Sequence, residues 1–189
     1  PNETIQNVRV IENGDVYCKI QAIFKHDNSF AVVTYAIPKH GKYIDIKIKM
    51  NTTDPLRMYK LSFNTSFESP DFVGQTAFGH EKMIKEEREV VYQKWCGLFE
   101  QEKGFAILNR GTYGGSAKDN VINISLLRTA ICCTLPIEDR PVSDPGQNND
   151  YIDMGEREFE YRLTTDAENI NVESEIYNQP TYALSFFPS

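Results

Sequence analysis

The sequence has no long hydrophobic run and no surplus of positive charge. None of its apolar stretches approaches the roughly 18 residues that a membrane-spanning helix needs, so no such helix is expected. The 189 residues carry 20 Lys and Arg against 27 Asp and Glu, a formal net charge of −7. Because nucleic acids are polyanions, this balance argues against a nucleic-acid-binding protein. We therefore expect neither a membrane nor a nucleic acid as a partner.

Known catalytic and metal-binding motifs are also scarce. The four cysteines include no C-x-x-C pair, and the three histidines, His26, His40 and His80, stand apart from one another. No metal site is expected from these residues. The nucleophile elbow, the Walker A loop and the dinucleotide-binding glycine pattern are absent as well. Carboxylates are plentiful, but no catalytic pair stands out, and His26 and His40 are expected to be exposed beside turns.

The cysteines bear on the compartment. They are too few for a disulfide scaffold and are interpreted as reduced and mostly buried, which favours a cytoplasmic, bacterial protein. Four N-x-S/T triplets, beginning at Asn2, Asn51, Asn64 and Asn123, point weakly the other way, so a secreted or lysosomal protein stays open. The chain starts at Pro1 with no charged-then-apolar leader, and we expect that it was processed or cut from a longer protein.

Most of the chain alternates between apolar and polar residues, the pattern of half-buried β-strands. The alternation is cleanest over 43–50, and β-branched and aromatic residues dominate the other runs. Turn-forming residues separate the runs, and the longest such tract, 141–150, is predicted to be a surface excursion. Strands are predicted over 6–11, 16–25, 29–37, 43–50, 57–63, 90–95, 105–109, 121–127, 158–164 and 181–186.

Only one segment is a candidate helix. Residues 80–88 are highly charged and contain two apolar side chains, so a short helix and an extended loop remain equally open. Trp95 is predicted to lie in the core, and Gly104 and Gly111, which bracket a strand, are expected at turns that need positive φ. No repeat of fixed period is present, which argues against a propeller or solenoid. The sequence therefore predicts an all-β protein, a large antiparallel β-sandwich with little helix.

Three stretches together resemble one family. Residues 43–63 carry an alternating segment and then L-x-x-x-K-L-x-F, and residues 104–114 read GFAILNRGTYG, followed by the strand-like VINISLLR. Residues 153–161 carry a D-x-G-x-R-x-F-x-Y run in which Arg157 replaces the family's usual His. The order and spacing of these stretches are similar to the C-terminal β-domain of glycoside hydrolase family 38, the α-mannosidases.

The resemblance implies a fold and also implies which domain of the protein carries out catalysis. The fold is the galactose mutarotase-like supersandwich, and residues 1–189 are expected to form one such domain of a longer, multidomain glycosidase. Family members hydrolyse α-mannosides with retention, using a carboxylate nucleophile and zinc, both in an N-terminal α/β domain that is absent here. The resemblance therefore implies a chain without a catalytic residue or cofactor of its own, which packs on and supports that N-terminal catalytic domain.

Three residues are predicted to contact carbohydrate or the neighbouring domain. Tyr113 and Tyr151 lie near loops, and aromatic rings can stack on sugar faces. Arg128 ends a predicted strand, where its guanidinium can hold a carboxylate, and a structural salt bridge is the simpler interpretation.

Two other functions stay open. The first is a free-standing carbohydrate-binding sandwich that uses Tyr113 and Tyr151. The second is a mutarotase-like enzyme, which needs a histidine and a carboxylate in a sheet cleft. This last function is disfavoured because none of the three histidines is predicted to lie in the middle of a strand.

Overall fold

The computed structural model describes residues 4–86, 88–130, 151–179 and 182–185. These residues form thirteen β-strands and one α-helix. The strands are β1 (Thr4–Asn13), β2 (Tyr17–His26), β3 (Ser29–Pro38), β4 (Tyr43–Thr52), β5 (Met58–Asn64), β6 (Asp71–Thr76), β7 (Gly79–Lys82), β8 (Val90–Val91), β9 (Trp95–Glu100), β10 (Lys103–Asn109), β11 (Gly114–Lys118), β12 (Val121–Arg128) and β13 (Gly155–Thr164). The helix, α1, spans Ile170–Asn178.

The strands form two antiparallel sheets that pack face to face. The large sheet has nine strands in the order β1-β2-β3-β4-β13-β10-β9-β6-β7, and the small sheet has four in the order β5-β12-β11-β8. Their facing sides form the main core, whose buried members are Val33, Ile46, Ile48, Met50, Phe72, Tyr92, Cys96, Leu98, Ile107, Ala117, Ile122, Ile124 and Tyr161. The predicted β-sandwich is confirmed.

Alternation along each strand decides which side chains enter this core. In β4, Ile46, Ile48 and Met50 are buried while Lys47 and Lys49 point outward. Strand β13 pairs with β4 along its whole length, so Glu156, Glu158 and Glu160 meet those lysines on the outer face. Lys47 Nζ lies 2.8 Å from Glu158 Oε2, and Lys49 Nζ lies 2.8 Å from Glu156 Oε1. The outer face here is a solvated ladder of charges.

Helix α1 covers a second, smaller core on the outer face of the large sheet. Strand β10 serves both cores: Phe105 and Ile107 face the small sheet, and Ala106 and Leu108 face the helix. The second core consists of Trp95, Ala106, Leu108, Ile170 and Tyr177. Trp95 is 2% exposed, which confirms its predicted place in a core, and its Nε1 donates to Asn171 Oδ1 at 3.0 Å.

Several local predictions need correction. The segment 80–88 does not form a helix in its described residues: it begins in β7 and continues without regular structure, so the extended alternative is confirmed. The strand predicted over 90–95 is two, β8 and β9, and no strand covers the described residues 182–185 of the predicted 181–186. Gly111 has φ +91, as expected, whereas Gly104 lies inside β10 without positive φ. The tract 141–150 lies outside the described residues.

Within the described ranges, α1 is the one helix, and at nine residues it is too short to cross a bilayer.

Candidate functional site

The two sheets differ in width, and this difference opens a cleft. Among the described residues, the small sheet ends at β5, whereas the large sheet continues from β4 through β3 and β2 to β1. A cleft of about 730 Å³ lies between β5 and the inner face of β2, β3 and β4. Its walls are mainly apolar and aromatic and include Phe24, Ala31, Val33, Tyr35, Tyr59, Leu61 and Phe63. A concave apolar site of this size is the usual form of a binding site.

Ser29 lines one end of the cleft and is held there by a buried carboxylate, Asp54. Asp54 is 6% exposed, and its Oδ2 accepts hydrogen bonds from Ser29 Oγ at 2.5 Å and from the Ser29 amide at 3.0 Å. The Asn28 amide donates to the same oxygen at 3.2 Å, and Tyr59 OH donates to Ser29 Oγ at 3.0 Å. The Ser29 hydroxyl, with the Asn28 and Ser29 amides, holds the pKa of Asp54 below the usual value for an aspartate. These bonds make Asp54 an anchor between loops.

His26 also lines this end of the cleft, which corrects the expectation that it is exposed. Its side chain is 27% exposed, and Nε2 lies 3.4 Å from Asp27 Oδ2. Its buried Nδ1 has no hydrogen-bond partner in the part of the chain that the structure describes. Arg57 Nη2 donates to the same Asp27 oxygen at 3.3 Å. A mutarotase-like enzyme needs a histidine beside a carboxylate, and His26 and Asp27 form such a pair. Asp27 is half exposed, however, and it also forms an ion pair with Arg57.

The other two histidines lie away from the cleft. His40 is exposed between β3 and β4, as expected. His80 is exposed in β7, with its ring centroid 5.8 Å from that of Trp95. Neither can act together with His26 in the cleft.

The outer face of the large sheet carries a second polar cluster, beneath α1. Arg162 donates to both carboxylate oxygens of Asp45, at 2.7 and 2.9 Å, and its guanidinium lies 3.9 Å from the Tyr43 ring centroid. Arg110 stacks 4.3 Å from the Tyr177 ring centroid and donates through Nε to the Tyr177 carbonyl at 2.8 Å. Planar, bidentate contacts of this kind fix geometry. The cluster attaches the helix to the sheet.

The buried tyrosine hydroxyls and the buried thiol in the main core are not reactive. Burial raises the pKa of Tyr92, Cys96 and Tyr161 above the ordinary values for these groups. Cys96 is fully buried, and Tyr161 OH pairs with Thr112 Oγ1 at 2.8 Å. A thiol that stays protonated and out of reach of solvent is not a nucleophile.

Residues 1–132 match the family described as "Glycosyl hydrolases family 38 C-terminal domain". The chain belongs to this family. Two curated relatives are α-mannosidases. This chain is 26% identical to "Alpha-mannosidase 2C1" of Mus musculus over an aligned length of 129 residues, and the alignment covers 64% of this chain and 11% of that protein. It is 24% identical to "Alpha-mannosidase G" of Dictyostelium discoideum over an aligned length of 168 residues, and the alignment covers 82% of this chain and 14% of that protein.

Solved structures of family 38 proteins have the same fold. An α-mannosidase from Enterococcus faecalis V583 superposes with a TM-score of 0.69 and 13% identity, over 93% of this chain and 24% of that one. A family 38 protein from Enterococcus faecalis gives 0.72 and 14% identity over the same shares. The chain thus spans about a quarter or less of the length of the relatives that it matches.

The three residues predicted as contacts in this family 38 domain lie near one end of the sandwich. Arg128 is exposed at the end of β12, and Tyr113, 55% exposed, precedes β11, which runs antiparallel to β12. Tyr151 is 38% exposed, and the next residue, Ile152, donates its amide to the Ala130 carbonyl at 2.9 Å. No hydrogen bond or ring contact joins any two of the three within the described ranges. The salt bridge expected for Arg128 is not found among the described residues.

The described residues do not fit a zinc ion. They contain no group of three or more His, Cys, Asp or Glu side chains arranged to hold a metal.

The sequence alone does not predict the cleft. Strands are predicted at β1, β2, β3 and β5, but the cleft forms where the large sheet extends past the edge of the small sheet, and this depends on the order of the strands in each sheet. The one available signal was in β1, whose apolar positions Val8 and Val10 alternate as if they were buried.

Proposed function

We propose that this chain is an accessory C-terminal β-domain of a longer α-mannosidase. In this proposal the enzyme is a retaining, zinc-dependent glycoside hydrolase of α-mannosides, and its nucleophile and zinc ligands lie in an N-terminal domain on which this chain packs. The observation that carries the proposal is the family 38 C-terminal match over residues 1–132.

The coverage of the relatives supports an accessory role. Both curated relatives are α-mannosidases, and the matched residues amount to 11% and 14% of their lengths. A retaining glycosidase needs two carboxyl groups about 5 Å apart on either side of a sugar site. Asp54, the buried carboxylate that holds Ser29 at the end of the cleft, accepts hydrogen bonds from Asn28 and Ser29.

The contacts and the compartment are part of the same proposal. Exposed Tyr113, Arg128 and Tyr151 would face the catalytic domain or the mannoside bound there. A cytoplasmic location is supported by Cys18 and Cys96, both free thiols in the described part of the chain.

The test compares hydrolysis of an aryl α-mannoside by the full-length protein and by the 189-residue chain. We expect turnover by the full-length protein alone, lost on treatment with a chelator and restored by zinc. Turnover by the 189-residue chain by itself would contradict an accessory role, and an inactive full-length protein would contradict the assignment as an α-mannosidase.

A free-standing carbohydrate-binding domain is the second candidate, because Tyr113 is 55% exposed and Tyr151 38% exposed. Titration of the 189-residue chain with a panel of mannosides separates the two functions. Sub-millimolar binding that is lost in Tyr113→Ala would favour this candidate, and the absence of binding would eliminate it.

A further inference from the structure

The apolar inner face of the large sheet extends beyond the small sheet that covers it. Register places Val8, Ala22, Val33 and Ile48 side by side across β1, β2, β3 and β4, so they form one row across the sheet. Because paired residues in a sheet point to the same face, this row runs continuously from the core to the edge. Two parallel rows end in β1 at Ile5 and Val10.

Burial along these rows falls off where the small sheet ends. Ile48 is 2% exposed and Val33 5%, whereas Val8 is 58% exposed. Ile5 and Val10 are 58% and 62% exposed. A long edge strand with bare apolar side chains is a liability that proteins cover. We name this surface of Ile5, Val8 and Val10 the β1 patch.

The small sheet has an open edge on the same side. Strand β5 pairs with β12 on one side and with no strand of the described residues on the other. Its side chains Tyr59, Leu61 and Phe63 are partly buried against the core, so its inner face is already aligned with the cleft. A strand added beside β5 would lie over β3 and β2 and would extend the small sheet toward the β1 patch.

We propose that at least one β-strand from another part of the same polypeptide pairs with the free edge of β5 and covers the β1 patch. The inference rests on the proposed function, in which this chain is part of a longer protein. The relatives supply the argument for this occupant, since this chain matches only 11% to 24% of their lengths. Backbone pairing at a sheet edge together with burial of alternate apolar side chains is how added strands bind.

The test measures the reactivity of a cysteine placed in the β1 patch. Val8→Cys is made in the 189-residue chain and in the full-length protein, and maleimide labelling at residue 8 is followed by peptide mass spectrometry, which separates it from the native cysteines. We expect fast labelling in the 189-residue chain and labelling about tenfold slower or more in the full-length protein. Hydrogen exchange in β5 should slow in the full-length protein as well.

Val16→Cys is the matched control, because Val16 is 68% exposed in the turn after β1 and outside the patch. It should label equally in both proteins. Equal labelling of Val8→Cys in both would overturn the proposal. Slow labelling of Val8→Cys in the 189-residue chain would also overturn the proposal. Light scattering would then identify what covers the β1 patch: a dimer would mean a second copy of the chain, and a monomer would mean a segment of the chain itself.

A second variant pair tests the same surface through stability. The double variant Val8→Thr, Val10→Thr replaces a methyl group by a hydroxyl group at each position. This replacement lowers the free energy of unfolding only where the residue is buried. The 189-residue chain should keep its melting temperature, while the full-length protein should lose several degrees; an unchanged full-length protein would overturn the proposal. Because neither readout uses activity, a full-length protein that protects Val8→Cys but does not cleave mannosides would refute the proposed function alone.

Discussion

Gly97 lies in β9, where the backbone of β10 passes over the space that a side chain would fill. A Cβ at this position would stand 2.6 Å from the Phe105 carbonyl oxygen and 3.0 Å from the Ala106 Cα. Since backbone cannot move away without breaking the sheet, we expect Gly97→Ala to lower the free energy of unfolding by about 2–3 kcal/mol. Urea denaturation followed by circular dichroism measures this change.

Gly79→Ala is the control for this substitution. Gly79 is also a strand residue, it has no positive φ, and no atom outside its chain neighbours lies within 4 Å of a built Cβ. Its free energy of unfolding should change by less than about 0.5 kcal/mol. Equal effects of the two substitutions would show that loss of glycine, and not crowding, is responsible.

The glycines also mark how far single residues can be interpreted from sequence. Gly111 was predicted to need positive φ and does, but Gly104 is required for a different reason, because a Cβ there would meet the Phe99 ring at 2.7 Å. The sequence shows that a glycine is present. Whether it is needed for a positive φ or because a neighbouring strand leaves no room for a side chain is seen only in the structure.

At the scale of elements, the aromatic residue Tyr177 is a main contact between α1 and the sheet. Tyr177 is 6% exposed, and its ring has Arg110 at 4.3 Å and Arg162 at 5.0 Å from its centroid. Tyr177→Ala removes this contact, at a cost of about 3 kcal/mol, and should release the helix. Trp95, the only tryptophan in the sequence, lies beneath the helix, so its fluorescence emission should shift to longer wavelength.

Val172→Ala serves as the control on the same helix, because Val172 is 61% exposed. It should leave the emission maximum of Trp95 unchanged. A Tyr177→Ala variant with wild-type emission would mean that the other contacts of α1, among them Lys94 with Glu175 and Trp95 with Asn171, suffice to hold it.

The elements that the sequence alone does not predict have weak local signals. Helix α1 (INVESEIYN) has β-branched residues at several positions and no side-chain cap at its N-terminus, so its stability comes from packing on the sheet. Strands β6 and β11 (DFVGQT and GGSAK) contain glycine and small residues, which have low strand propensity, and they exist because neighbouring strands pair with them. By contrast, β4 and β13 alternate strongly enough to be predicted alone.

At the scale of the whole molecule, Asp54 ties the two sheets together. It lies between β4 of the large sheet and β5 of the small sheet, and it accepts hydrogen bonds from the turn that joins β2 to β3. We expect Asp54→Asn to lower the free energy of unfolding at pH 7 by about 1–3 kcal/mol, because buried amide and hydroxyl donors lose an anionic acceptor. Thermal and urea unfolding over a range of pH measure it.

The pH dependence follows from the lowered pKa of Asp54. The contribution of the carboxylate is fully present above the unfolded-state pKa of about 3.9 and is lost as the pH falls through the lower folded-state pKa. The difference in stability between the wild type and Asp54→Asn should therefore be constant from pH 7 to about pH 5 and shrink below about pH 4. A difference that persists unchanged in acid would show that the charge of Asp54 is not what stabilises the loops.

The architecture was predictable from the sequence and the cleft was not, for one physical reason. Alternation is a local property, and it identified most strands and the sandwich. Strand order depends on contacts between distant residues: β13 pairs with β4 across more than a hundred residues, as in Arg162 with Asp45. Tyr113, Arg128 and Tyr151 could be placed at loops or strand ends, but their grouping near one end of the sandwich required the register of β11 and β12.

The position of β13 has a consequence for synthesis on the ribosome. This strand lies between β4 and β10, so it joins the part of the large sheet made by β1 to β4 to the part made by β6, β7, β9 and β10. It is also the last strand along the described chain. Until residues 155–164 leave the exit tunnel, the large sheet of the nascent chain consists of two separate halves, each with an exposed edge that can pair with other nascent chains. A shortened gene product that ends with the family match at residue 132 would stay in that condition permanently.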